Sequence, residues 1–133
     1  MATAVLDSHA LLAFFRGEPA AVLVRMLLHK AAANDRPLQM TEVNYSEVKY
    51  MLLKKDGAES WERAAEVLKS LPIEFRAADR ALAEVAADFK ARFKISLADA
   101  FAAALAHEKK AELVTGDPEF KPLEKEIKIV WLK

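Results

Sequence analysis

The chain has no cysteine, only three glycines and five prolines, and no excess of either charge among its 133 residues. Without cysteine there is no disulfide framework, no thiolate metal site and no cysteine nucleophile. Lys plus Arg number 20 and Asp plus Glu number 20. That balance argues against a generally basic coat for nucleic acid, while leaving room for a local basic rim around an acidic pocket. No run of about 18 apolar residues occurs, so no transmembrane helix and no membrane partner are expected. The opening Met1-Ala2-Thr3-Ala4-Val5-Leu6-Asp7 has neither a basic stretch nor a long apolar one. It does not read as a signal peptide, and the expected setting is the cytoplasm. No repeat, low-complexity tract or linker is evident, which predicts one domain over 1–133. A hydrophobic fraction of 53% with 30% charged residues fits a globular chain with a sizeable core.

What is present is an alternation of short apolar runs and amphipathic stretches. A strand over 3–6 ends at Asp7-Ser8, a helix-start signal, and a short helix through Leu11, Leu12 and Phe15 stops near Gly17. Pro19 opens a longer helix with Val22, Leu23, Met26 and Leu27 at helical spacing. Pro37 resets the chain before a second strand over 38–41. A helix carrying Tyr45, Val48 and Leu52 then runs to Gly57, and another carries Trp61, Ala64, Ala65 and Leu68. A third strand is predicted over 72–75 and a helix over 77–93. Ser96 caps a further helix with Leu97, Phe101, Ala104 and Leu105 on one face. A fourth strand over 112–115, a short helix from Asp117-Pro118 and a fifth strand over 127–132 complete the chain. This order predicts an α/β fold, a mainly parallel sheet with right-handed crossovers and helices on both faces. Leu11, Leu12, Phe14 and Phe15 surround much of the first helix, which fits either burial in the core or cover by a partner.

Open α/β sheets bind ligands beyond the carboxyl ends of their strands. Asp7 closes the first strand, and Asp117 follows the fourth, two residues after Thr115. Glu47 lies on the helix after the second strand, and Asp99 in the first turn of the helix leading to the fourth. Each has a plainer reading. Asp7 and Asp117 are favoured helix caps, Ser96-Leu97-Ala98-Asp99 resembles a capping box, and Glu47 fits an ordinary solvated helix acid. Asp99, however, shares its helix direction with Ala102, Ala103 and Ala106, so it is predicted to point into packed structure. A carboxylate there needs a partner, a proton or a metal ion. Clustered carboxylates repel unless they are protonated or share a cation, and an all-oxygen set suits Mg²⁺ or Mn²⁺ better than zinc.

The residues that carry this pattern resemble the PIN domain, and within it the small toxin nucleases of the VapC type. The matching pieces are Val5-Leu6-Asp7-Ser8, Glu42-Val43-Asn44-Tyr45-Ser46-Glu47-Val48, Leu97-Ala98-Asp99-Ala100 and Thr115-Gly116-Asp117-Pro118-Glu119-Phe120. The resemblance implies a three-layer sandwich around a five-stranded parallel sheet in the order 3-2-1-4-5. It implies metal-dependent cleavage of single-stranded RNA by a homodimer, often blocked by a small antitoxin protein. It assigns Asp7, Glu47, Asp99 and Asp117 to an acidic quartet holding the metal, with Ser8 and Thr115 as supporting hydroxyls. Glu119 either supplements the quartet or is an exposed first-turn acid. No role attaches to His9 or Glu42.

The implied reaction is hydrolysis of an RNA phosphodiester to a 5′-phosphate and a 3′-hydroxyl by a metal-activated water. No Ser–His or Cys–His pair and no GxSxG elbow points to covalent catalysis. Candidate phosphate contacts are Arg16, Lys49, Lys54, Lys55, Arg92 and Lys94, each of which also fits plain solvated surface. Two other classes remain. A flavodoxin-like receiver would want an acceptor aspartate after the third strand, where Glu74-Phe75-Arg76 stands. A PIN-like module without turnover, kept for RNA binding or assembly, would keep the fold without needing the acids.

Overall fold

Val5 and Leu6 point to opposite sides of the sheet they help to build, and that alternation sets the layers. The computed structural model describes residues 3–132. The chain runs β1 (Ala4–Leu6), α1 (Ser8–Phe15), α2 (Ala21–Ala33), β2 (Leu38–Thr41), α3 (Glu42–Asp56), α4 (Ala58–Leu68), β3 (Ile73–Arg76), α5 (Arg80–Arg92), α6 (Leu97–Lys109), β4 (Glu112–Thr115), a 3₁₀ segment (Pro118–Lys125) and β5 (Ile129–Trp131). The five strands form one parallel sheet in the order β3-β2-β1-β4-β5. Val5 pairs with Gln39 on one side and Leu113 on the other. This is the order that the PIN resemblance implies. It differs from the 2-1-3-4-5 order of flavodoxin-like receivers, so the receiver reading is set aside.

Val5 and Leu113 pack with Leu82, Ala86, Phe89, Phe101 and Leu105 of α5 and α6. Leu6 and Val114 face the other way, onto Ala10, Val24 and Leu28 of α1 and α2. Met40 joins Leu11, Val48, Leu52, Ala64 and Leu68 in a third cluster under α3 and α4. Leu11 and Leu12 are buried and Phe14 and Phe15 half-buried, so the first helix is a core element. Gly57, at φ +93°, ends α3 and starts α4, a conformation open to glycine and to little else. In α6 every residue from Asp99 to Ala106 is buried, and five of the eight are alanines. Their small side chains let the helix sink between the sheet and α5, which leaves Asp99 no solvent-facing side to occupy.

Several sequence expectations shift. On α2 the buried stripe is Ala21, Val24, Leu28 and Ala31, whereas Val22 and Met26 are 54% and 62% exposed. The helix carries more apolar residues than one face can use, and the alanines give the closest approach to the sheet. Leu97, expected beside Phe101 and Leu105, is 56% exposed. Helical side chains lean toward the N-terminus, so that of the first residue overhangs the end of the packed layer. α5 starts at Arg80 rather than 77, because Asp79 is its cap and accepts from the Leu82 N–H at 3.0 Å. β5 is shorter than 127–132, since the Glu126 and Ile127 N–H groups are spent on the Leu123 carbonyl. Among the described residues no helix is long and apolar enough to cross a membrane.

Candidate metal centre

The carboxyl ends of β1 and β4 lie side by side, and the chain turns into a helix after each. Asp7, immediately after β1, caps α1: its Oδ1 accepts the Ala10 N–H at 2.8 Å. Its Oδ2 accepts the Thr115 hydroxyl, across 108 residues of sequence. The Thr115 oxygen in turn accepts the Asp117 N–H at 3.0 Å, and Asp117 Oδ1 accepts the Glu119 N–H at 2.9 Å. One buried hydroxyl thus links the two acids that follow the central strands. Asp99 enters from α6, where Ser96 Oγ accepts its N–H at 3.1 Å. The capping readings therefore hold, and carboxylate oxygens of Asp99, Asp117 and Glu119 lie within 4.8 Å of one another, a group that includes Asp99 and Asp117 of the expected quartet but not Asp7 or Glu47.

Burial sets the electrostatics. Asp7 is 1% exposed, and its pKa is raised to about 7, first by desolvation. Hydrogen bonds from Thr115 and Ala10 oppose the shift, while the charges of Asp99 and Asp117 add to it. Asp99 is raised to about 6 by desolvation, then by Asp117; Ser96 pulls it back, and Glu47 pushes it further up. Glu47 is half-buried on α3 and reaches the cluster through this field. Among the described residues no salt bridge involves Asp7, Glu47, Asp99, Asp117 or Glu119. The acids face one another with no basic side chain to neutralise them.

The sequence model of the PIN domain matches residues 4–126. The chain belongs to the PIN domain family. No curated protein matches it in sequence. Among solved structures, its fold matches that of VapBC2 from Rickettsia felis bound to a promoter DNA fragment, with a TM-score of 0.78 at 15% identity over 98% of this chain and 99% of that one. It also matches a toxin-antitoxin complex from Klebsiella pneumoniae, with a TM-score of 0.68 at 21% identity over 96% of each chain. A third match is Mycobacterium tuberculosis VapC20, described as a sarcin-ricin loop cleaving toxin, with a TM-score of 0.69 at 17% identity over 91% and 95%. At these identities the likeness is one of fold.

The donor set of this PIN domain fits a hard divalent cation. It is all oxygen, it lies partly out of water, and it carries unpaired negative charge. The hydroxyls divide their work. Thr115 touches Asp7 directly, whereas Ser8 Oγ is taken by Asn44, donating to its carbonyl at 3.3 Å and accepting from its Nδ2 at 3.0 Å. Asn44 is the residue that sequence reasoning passed over. Fully buried, it also donates from Nδ2 to the Ala98 carbonyl at 3.2 Å, and its N–H bonds Thr41 Oγ1 at 2.9 Å. It ties the residue after Asp7 to the residue before Asp99, one turn ahead of Glu47. A signal was available, since Asn44, Val48 and Leu52 share one helical stripe and a polar member of such a stripe needs partners.

Two of the six basic candidates are already engaged. Arg92 makes a fork to Glu126 at 2.7 and 2.8 Å and lies over Phe89 and Phe93, and Arg16 pairs with Asp56 at 3.2 Å. The Lys49 ammonium sits 5.5 Å from the centre of the Trp61 ring, and Lys54, Lys55 and Lys94 are exposed.

Proposed function

We propose that this PIN domain is a Mg²⁺- or Mn²⁺-dependent endoribonuclease that cleaves single-stranded RNA, and that it serves as the toxin of a cytoplasmic toxin–antitoxin pair. The observation that carries the reading is the cluster of Asp99, Asp117 and Glu119 carboxylates without a basic partner, with buried Asp7 linked to Asp117 through Thr115 and raised pKa values at Asp7 and Asp99. Asp7, Glu47, Asp99 and Asp117 would hold the ion, with Glu119 within reach of Asp99 and Asp117. Bound there, the ion supplies Lewis-acid polarisation of the phosphate and a water of lowered pKa.

The chain's own residues prepare that chemistry. The Ala10 N–H and the Thr115 hydroxyl fix both oxygens of Asp7, so its carboxylate is oriented before any ligand arrives. Asp7 and Asp99 give up protons as the cation binds, which ties loading to pH. Without a cation the cluster repels a phosphodiester, so productive RNA binding depends on the metal. Hydrolysis adds the water oxygen to phosphorus and breaks the P–O3′ bond. The 3′ oxygen takes a proton, leaving a 5′-phosphate and a 3′-hydroxyl.

The toxin reading is supported by the fold shared with chains of toxin-antitoxin complexes. Exposed Val22 and Met26 on α2 support pairing with a second copy. The test is cleavage of a labelled single-stranded RNA with Mg²⁺ or Mn²⁺, with and without EDTA. Asp99→Asn is expected to lower the rate on the order of 100-fold or more, in proportion to the lost metal affinity. Unchanged, EDTA-sensitive cleavage by that variant would overturn the assignment.

A further inference from the structure

Gly116 stands between Thr115 and Asp117 and does not have a positive φ, so its backbone makes no demand for glycine. What demands it is His9. A Cβ built on Gly116 would lie 2.6 Å from His9 Cε1, 3.0 Å from Nδ1 and 3.3 Å from Nε2. The imidazole of α1's second residue is therefore laid against the backbone that leads into Asp117, in space that any other residue would fill. His9 is nonetheless exposed. Its ring is pinned on one side and open to solvent on the other, two residues from Asp7 and in contact with the neighbour of Asp117.

We propose that His9 is a substrate-positioning residue whose open ring side stacks a nucleobase next to the phosphate held at the acidic cluster. The inference rests on the ribonuclease reading. Single-stranded RNA offers unstacked bases, and a flat ring already held in place pays little ordering entropy when a base lies on it. Gly116 positions the ring: its missing side chain keeps the imidazole close to the cluster. The contact is tolerant of base identity, since every base has a π-face, so it places the strand more than it reads sequence.

The test compares binding of a single-stranded RNA oligonucleotide with that of an abasic ribose-phosphate chain of equal length, by fluorescence anisotropy with Ca²⁺ replacing Mg²⁺. His9→Ala is expected to weaken RNA binding on the order of tenfold, as loss of one stacked base does. It should leave the abasic chain and Mn²⁺ affinity unchanged, and His9→Phe should restore RNA binding. Gly116→Ala, whose Cβ meets the His9 ring and no backbone, should push the ring aside and reproduce His9→Ala with residue 9 intact. In turnover the loss should fall on KM more than on kcat. Equal losses on both chains would mean a phosphate contact and would overturn the stacking role, as would a Gly116→Ala variant that binds like wild type. Wild-type protein that binds no RNA would defeat the ribonuclease reading itself, a result distinct from either.

Discussion

Asp7 does two jobs with one carboxyl group, capping α1 and accepting the Thr115 hydroxyl, while burial and two neighbouring acids hold its pKa near 7. A carboxyl whose folded pKa lies above its unfolded value binds its proton more tightly when folded. In the metal-free protein, the stability contributed by Asp7 and Asp99 is therefore complete below about pH 4 and is lost as pH rises through about 6 and 7. Urea unfolding in EDTA should show the protein weaker at pH 8 than at pH 5, with Asp7 accounting for a difference on the order of 2–3 kcal/mol. Asp7→Asn keeps an oxygen to accept the Ala10 N–H, turns the other position into an NH2 that donates to the Thr115 oxygen, and discards the charge. It should be more stable than wild type at pH 8 without metal, and inactive. A flat pH profile for the wild type would show that the carboxyl is solvated well enough to ionise freely.

Between residue and fold stands the buried bridge of Asn44, which joins α3 to the starts of α1 and α6. Asn44→Ala removes the Nδ2 bonds to Ser8 Oγ and the Ala98 carbonyl, takes the Oδ1 acceptor from the Thr41 hydroxyl in a dry environment, and should cost ~1–3 kcal/mol of stability. Mn²⁺ titration followed by electron paramagnetic resonance should also weaken, because the acid-bearing segments lose their common tie. Ser8→Ala removes one of these bonds and should cost less. The elements were largely legible in the sequence, and the reasons are local: Pro37 and Pro72 precede strands, and Ser96 and Asp7 cap helices where such residues should. The misjudged faces of α2 and of Leu97 were not local matters. Val22, Met26 and Val24 are alike in sequence, and only the position of the sheet decides which of them is covered. Asn44 was missed for a similar reason, since its three partners lie 3, 36 and 54 residues away.

At the scale of the whole molecule, the strand order makes β1 and β4 neighbours and so places Asp7 and Asp117 side by side along the carboxyl-end edge of the central strands. Alternation of strands and helices gave the class, while the order itself followed from the resemblance. Asp7, Asp99 and Asp117 could be argued physically before the fold was known. Glu47 could not, because its place beside Asp99 depends on how α3 packs. Divalent metal should act on the entire fold through this edge. Calorimetry at pH 8 should show Mg²⁺ or Mn²⁺ raising Tm, with RT ln(1 + [L]/Kd) setting the size, and at pH 5 the rise should be much smaller because protons compete. Equal shifts at both pH values would mean that the cation binds elsewhere.

The bond from Thr115 to Asp7 also bears on when, during synthesis, the acidic cluster can come together. A ribosome finishes Asp7 and Glu47 early, and both wait through most of synthesis for their partners. β1 has no β4 beside it until residue 115 has been made, and Asp117 follows only then. Nascent chains and chains cut short before residue 117 thus lack the Asp7–Thr115–Asp117 link. On the nuclease reading, cleavage would begin only after the last strands have emerged, leaving an inhibitor time to bind first.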